Sequence, residues 1–167
     1  MSELSVDTGA LTALANQFPA ARGILARYIL ATMQAGLNIF EEAVAVETPV
    51  GATGNLRSGL ATEVYGRPLE GELLGKLSTP AVYGYAVEFG QPPGTRPPVD
   101  ELEYWVIRKL GVDPAAAQGV AYAIAETIYR KGTQGAFMFK RGFDARRQAA
   151  IDLWQRMLGD FAVEAFS

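Results

Sequence analysis

Apolar residues recur at three- and four-residue spacing over two long stretches of the chain, one near each end. Between them the pattern shortens to alternation and then returns to helical spacing. The first stretch carries Leu25, Ile29, Met33, Leu37, Phe40 and Val44 on one stripe and predicts a helix from Pro19 to about Val46. Proline is at home in a first helical turn, so Pro19 suits its start. A second line, Ile24, Tyr28, Ala31, Ala35 and Ile39, makes this helix apolar on more than one side. Such a helix must be covered on most sides, by its own core or by a neighbouring subunit. The last stretch predicts a helix over 140–166, with Ala150, Leu153, Trp154, Met157, Leu158, Phe161 and Ala165 facing inward.

The middle of the chain reads as short elements. Alternation over Leu56–Gly66 and Glu72–Ser78, separated by Arg67-Pro68-Leu69-Glu70-Gly71, predicts an antiparallel hairpin. Ala81–Phe89 fits a short helix or a third strand, and the helix is preferred. Gln91–Pro98 holds four prolines and a glycine and reads as an extended, exposed loop. Asp100 with Glu103 has the spacing of a capping box, opening a helix that stops at Gly111. Asp113-Pro114 is a second helix start, and Lys131-Gly132 its end. Along that helix Ala117, Ala121 and Ala125 form a small-residue line beside Val120, Ile124 and Ile128. A helical turn is expected at Leu11–Gln17, and residues 1–9 read as a flexible polar lead-in.

These elements add up to an α+β fold, two long helices and shorter helices packed on a small antiparallel sheet. At 167 residues it is read as a single domain over 1–167. Hydrophobic residues make up 49% and charged residues 20%, which is enough apolar material for a packed core. The longest charge-free helical stretch, Tyr28 to Phe40, is broken by Thr32, Gln34 and Asn38 and reads as too short to span a membrane. The N-terminus lacks a basic and an apolar leader region, so a soluble product made in the cytoplasm is expected.

The chain contains no cysteine and no histidine. Disulfides and thiolate metal sites are thereby excluded, and the commonest general base and zinc ligand are missing. Glu41 and Glu42, adjacent on a helix, point about 100° apart and cannot share a site. Asp100 and Glu103 have a sufficient role as caps. Gly71 to Lys76 has two residues between its glycines where a phosphate loop needs four. Ser58 has no base to activate it. No catalytic, cofactor-binding or metal site is expected. The net charge of −3 gives no global attraction to nucleic acid. One basic cluster, Lys140, Arg141, Arg146 and Arg147, could meet phosphates without reading bases, although a solvated helix face is the plainer reading.

Three glycine-bearing signatures remain, each joining a loop to the end of an element. They are Thr48-Pro49-Val50-Gly51-Ala52-Thr53-Gly54-Asn55-Leu56-Arg57-Ser58, then Tyr85-Ala86-Val87-Glu88-Phe89-Gly90, then Lys131-Gly132-Thr133-Gln134-Gly135-Ala136-Phe137-Met138-Phe139. In this order they resemble the tail-completion, or head–tail joining, proteins of long-tailed bacteriophages. Pro49, Thr53-Gly54, Leu56 and Ser58 match the first pattern of that family. Tyr85-Ala86, Glu88 and Gly90 match the second, and Gly132 with Phe137 the turn before the last helix. Trp105 fits a helix that follows the proline loop. The chain departs from the pattern at Phe89-Gly90-Gln91, where Gly-Thr is more usual, and in the length of its Pro-rich loop.

The resemblance implies a structural protein, not an enzyme, without a cofactor. Its expected place is the head–tail junction of the virion, after synthesis in the host cytoplasm. Its partners would be itself, as a ring of six or twelve copies, and the neighbouring connector and tail proteins. Loops placed by a rigid scaffold make contacts. The expected subunit-interface residues are accordingly Pro49, Gly51, Thr53, Gly54, Asn55, Glu88, Phe89, Gly90, Pro92, Pro93 and Arg96. The loops 51–55 and 89–98 should then lie close together. The alternative reading is a DNA-contacting connector or packaging accessory using Lys140, Arg141, Arg146 and Arg147. For a neck ring, contact with DNA would be weak and nonspecific at most.

Overall fold

The computed structural model describes residues 2–7, 9, 13, 16, 18–51, 53–70 and 72–166. It is α+β, with the elements β1 (Ser2–Asp7), α1 (Pro19–Glu47), α2 (Asn55–Ser58), β2 (Ala61–Tyr65), β3 (Glu72–Ser78), α3 (Gly84–Phe89), β4 (Gly90–Gln91), α4 (Val99–Trp105), α5 (Pro114–Lys131), β5 (Thr133–Gln134) and α6 (Met138–Phe166). A π-helical turn, Val106–Leu110, extends α4. The chain gathers into two compact units. One comprises 1–46, 60–79 and 139–167, the other 47–59 and 80–138.

The first unit holds a three-stranded antiparallel sheet in the order β1-β3-β2. On β3 the side chains alternate, with Leu73 and Leu77 buried. Gly75 lies between them because a Cβ there would stand 2.8 Å from Met33 Sδ. The sheet thus presses its flattest point against α1. Ala21, Leu25, Ile29, Met33 and Leu37 of α1 share one cluster with Leu73 and with Met157 and Phe161 of α6. The two long helices therefore cover the same sheet face. Across their seam Phe40 stacks on Phe143 at 4.1 Å between ring centroids, and Gly142 meets the main chain of Val44. The second apolar line of α1 is half-buried at Ile24, Tyr28, Ala35 and Ile39 and exposed at Ala31. By length and composition Ala21–Glu47 could cross a membrane, contrary to the reading from Tyr28–Phe40; in this fold it is the core helix.

On the opposite sheet face Lys76 lies across from Glu63, 3.4 Å apart, and Tyr65 donates to the same carboxylate at 2.6 Å. Those two hydrogen bonds, Tyr65 first, lower the pKa of Glu63, and the Glu63 carboxylate raises that of Lys76. In the turn before β3, Glu70 N–H donates to Arg67 C=O, and Leu69 takes a positive φ of 67° where glycine is usual. Its side chain explains the exception, since Leu69 is buried in the helix–sheet cluster.

Trp154 packs half-buried against that cluster, and its indole Nε1 has no acceptor among the described residues. Trp154→Ala is expected to cost about 3 kcal/mol by cavity formation. Trp154→Phe, which removes the unpaired donor and keeps the ring, should stay within about 1 kcal/mol of the parent. Denaturant midpoints decide this; an unmoved midpoint for the alanine variant would place Trp154 outside the core.

The second unit has its own core. The buried line Ala117, Ala121 and Ala125 lets another helix approach α5 closely, and Val106 fills the space together with Leu102, Trp105 and Ile107. Asp113 caps α5 as expected, accepting from Ala115 N–H at 2.8 Å.

Four expectations are corrected. Leu56–Gly66 is not one strand: Asn55–Ser58 forms a helical turn, and β2 begins only at Ala61. The lead-in 1–9 is not wholly loose, because Ser2–Asp7 pairs with β3 from Ser2↔Leu77 to Asp7↔Glu72. The capping box at Asp100 is absent: the helix starts at Val99, behind Pro98, with no side-chain cap. Leu158, assigned to the inner face of α6, is exposed. The turn expected at Leu11–Gln17 lies outside the described residues, apart from Ala13 and Asn16.

Candidate functional site

The second and third signatures meet in space. Gly90 pairs with Gln134 and Gln91 with Thr133, forming a two-residue ladder of β4 on β5. The contact continues where Ala136 N–H donates to Val87 C=O at 2.7 Å and Phe137 N–H to Glu88 C=O at 3.0 Å. Backbones this close leave no room for side chains. A Cβ on Gly90 would collide with the Thr133 carbonyl, one on Gly132 with the Gln91 carbonyl, and one on Gly135 with the Glu88 carbonyl. The glycines of the two signatures are therefore parts of one seam. Glu88, 4% exposed, is buried beside it, whereas Phe89 is exposed and packs on Tyr85 at 4.8 Å between ring centroids.

The first signature builds a capped helical turn. Gly54 adopts φ 72° at the N-cap, Thr53 Oγ1 accepts from Asn55 N–H at 3.3 Å, and Ser58 Oγ donates to Gly54 C=O. Leu56 is buried and anchors the turn, while Arg57 reaches the Thr48 carbonyl at 3.4 Å. Local side-chain bonds of this kind compete with strand formation and here prevail.

The Pro-rich loop is strapped to α5. Gly94 N–H donates to Tyr129 C=O at 2.7 Å, and the Arg96 guanidinium lies over the rings of Tyr122 and Tyr129, at 5.5 and 5.2 Å. Arg96 also bonds to Glu126, which Arg130 engages from one turn further on. The Arg130 contact, then that of Arg96, holds the Glu126 carboxyl below its ordinary pKa. The loop is thereby braced against α5 at Gly94 and Arg96.

Gly51, Thr53 and Asn55 line a groove of about 570 Å³ together with Pro97, Pro98, Tyr83, Asp100, Glu101, Leu102, Tyr104 and Trp105. The expected proximity of the loops 51–55 and 89–98 is thus realised at the Pro97–Pro98 end. Pro49, Gly51, Thr53, Asn55, Phe89, Pro92, Pro93 and Arg96 are solvent-exposed, and Gly54 and Gly90 half-buried. Lys140, Arg141, Arg146 and Arg147 are exposed on the first three turns of α6, with Lys140 paired to Asp144 at 2.6 Å.

Sequence reasoning missed the aromatic display around these loops. Tyr85 (75%), Tyr83, Phe89, Tyr104, Tyr122, Tyr129 and Phe137 all stand exposed on the second unit. The signal that could have found them is the density of tyrosine within glycine- and proline-rich segments, a composition enriched in protein interfaces. No group of three or more acidic side chains is placed to hold a metal among the described residues. No family model, curated protein or solved structure matches this chain.

Proposed function

We propose that this protein is a structural component of the head–tail interface of a long-tailed bacteriophage, assembling into a ring that joins the connector to the tail. The observation that carries this reading is the convergence of the three signatures, the third as far as Met138, in one unit. Two of them close a single glycine seam, and the third shares a groove with the Pro-rich loop. Their order in sequence thus has a common structural purpose. A braced loop loses little entropy on docking, and exposed aromatics supply contact area.

The chemistry agrees with assembly in preference to turnover. The groove offers prolines, aromatics and two carboxylates, without the base or nucleophile pair that acyl transfer or hydrolysis needs. The expected neighbours are further copies of this chain and the connector and tail proteins, with DNA touched weakly through phosphates if at all. In a phage carrying this gene, its deletion should leave filled heads and finished tails that do not join. Electron microscopy of such lysates reads the result directly. Joined, infectious particles at parental yield would overturn the assignment.

A further inference from the structure

The groove and the basic end of α6 carry opposite, unspent charges. Asp100 and Glu101 sit in the first turn of α4 at the groove's edge. Neither takes part in an ion pair or a side-chain hydrogen bond among the described residues, now that the expected capping role is absent. Arg146 and Arg147 on α6 likewise have no partner among the described residues, unlike Lys140, which is held by Asp144.

Each pair of charges adjoins exposed apolar surface. Tyr83, Tyr104, Pro97 and Pro98 line the same groove as the carboxylates, and both tyrosines are exposed. Beside the arginines, Arg147, Ile151, Trp154 and Leu158 follow one another at four, three and four residues, one face of a helix. Together they border a shallow hollow of about 380 Å³, with Ile151 and Leu158 44% and 43% exposed. A helix with apolar anchors at this spacing is the form a groove receives.

We propose that the α6 face of one copy docks in the groove of a second copy. Arg146 and Arg147 would meet Asp100 and Glu101, while Ile151 and Leu158 pack on Tyr83, Tyr104, Pro97 and Pro98. This deepens, and rests on, the ring reading. Charge complementarity selects the occupant: the groove's two free carboxylates match two free guanidinium groups of the same chain. Arginine over an aromatic face is already realised at this rim, where Arg108 lies 5.7 Å from the Tyr104 ring centre. Groove and helix are different patches, so the contact is heterologous and propagates from copy to copy until it closes.

Charge reversal tests this with the full-length chain. D100K/E101K and R146E/R147E should each weaken self-association on the order of a hundredfold, because like charges then face each other. Mixed in equal amounts, the two variants should assemble again, since each reversed surface now finds its complement on the other. Sedimentation velocity with mass photometry reads all three samples, and circular dichroism checks that each variant is folded. Should a reversal unfold the chain, Asp100→Asn with Glu101→Gln replaces it, and a smaller loss is expected. A monomeric parent, variants that assemble like the parent, or a mixture that stays apart each overturn the proposal. So does R146E/R147E abolishing binding to a random DNA duplex while leaving the oligomer intact, which would give this face to nucleic acid. If the parent forms rings that ignore these substitutions, only the contact is wrong and the neck assignment stands. A gene-deleted phage that still joins heads to tails removes the neck assignment by a separate measurement.

Discussion

Gly90→Ala is expected to destabilise the protein by at least about 3 kcal/mol, combining backbone strain with a steric clash. Gly90 has φ 80° and ψ −178°, a region open essentially to glycine alone. Its missing Cβ also leaves the space taken by the Thr133 carbonyl. An alanine must either open the β4–β5 ladder or push the third signature away from α3. In both cases Ala136 and Phe137 lose the carbonyls of Val87 and Glu88 that their amides reach. Those two amides should therefore exchange with solvent far faster than in the parent, alongside a lowered melting temperature. Gly119→Ala and Gly159→Ala are the matched controls. Both glycines lie within helices and face open space, so alanine should stabilise by up to about 1 kcal/mol. Equal behaviour of Gly90 and the controls would disprove the seam.

Gly142→Leu should have a comparable effect on the other unit. A Cβ at Gly142 would stand 2.7 Å from the Val44 nitrogen and 2.8 Å from its Cα, main-chain atoms that cannot swing away. Alanine there should cost about 1–3 kcal/mol, and leucine more, because α1 and α6 must separate to admit it. Separation would also unstack Phe40 from Phe143 and loosen the cluster of Met157 and Phe161 on Leu73. Near-ultraviolet circular dichroism together with the thermal midpoint reads both losses. A leucine variant that melts with the parent would show that the helices do not cross at this point.

Local chemistry was the legible part of this fold. Asp113, Pro114 and Gly132 set the ends of α5 because a capping bond and a positive-φ glycine exit involve only neighbours in sequence. The long helices were legible because one apolar stripe persists through many turns. Where two local signals compete, side-chain bonds to the backbone outweigh alternation. Alternation over Leu56–Gly66 suggested a strand, yet Thr53, Gly54 and Ser58 satisfy the backbone as a helical turn. Likewise Pro98, with φ −58°, starts α4 before Asp100 can cap it. Long-range features were hidden for a different reason. The partner of β1 lies some seventy positions away in β3, and Ser2–Asp7 is too polar to advertise a strand. The ladder of β4 on β5 is only two residues a side, although three glycines whose Cβ positions are all occupied were its trace in the sequence. Of the groove, the loops were legible and the aromatic and acidic rim was not, because it exists only once α4 is set beside them.

The first unit is assembled from both ends of the chain, and this orders events during synthesis. Tyr28 on α1 bonds to Glu164 on α6, 136 residues later. Closing so long a loop adds little to the equilibrium cost, which grows only with the logarithm of length. In time, however, the whole second unit is synthesised before α6 is complete. Until then Leu25, Ile29 and Met33 lack Met157 and Phe161 as cover, on a helix apolar enough to enter a bilayer. The nascent chain thus carries an uncovered, sticky segment from the synthesis of α1 until that of α6, and a ribosome stalled before residue 138 would release a product prone to aggregate or to be held by a chaperone.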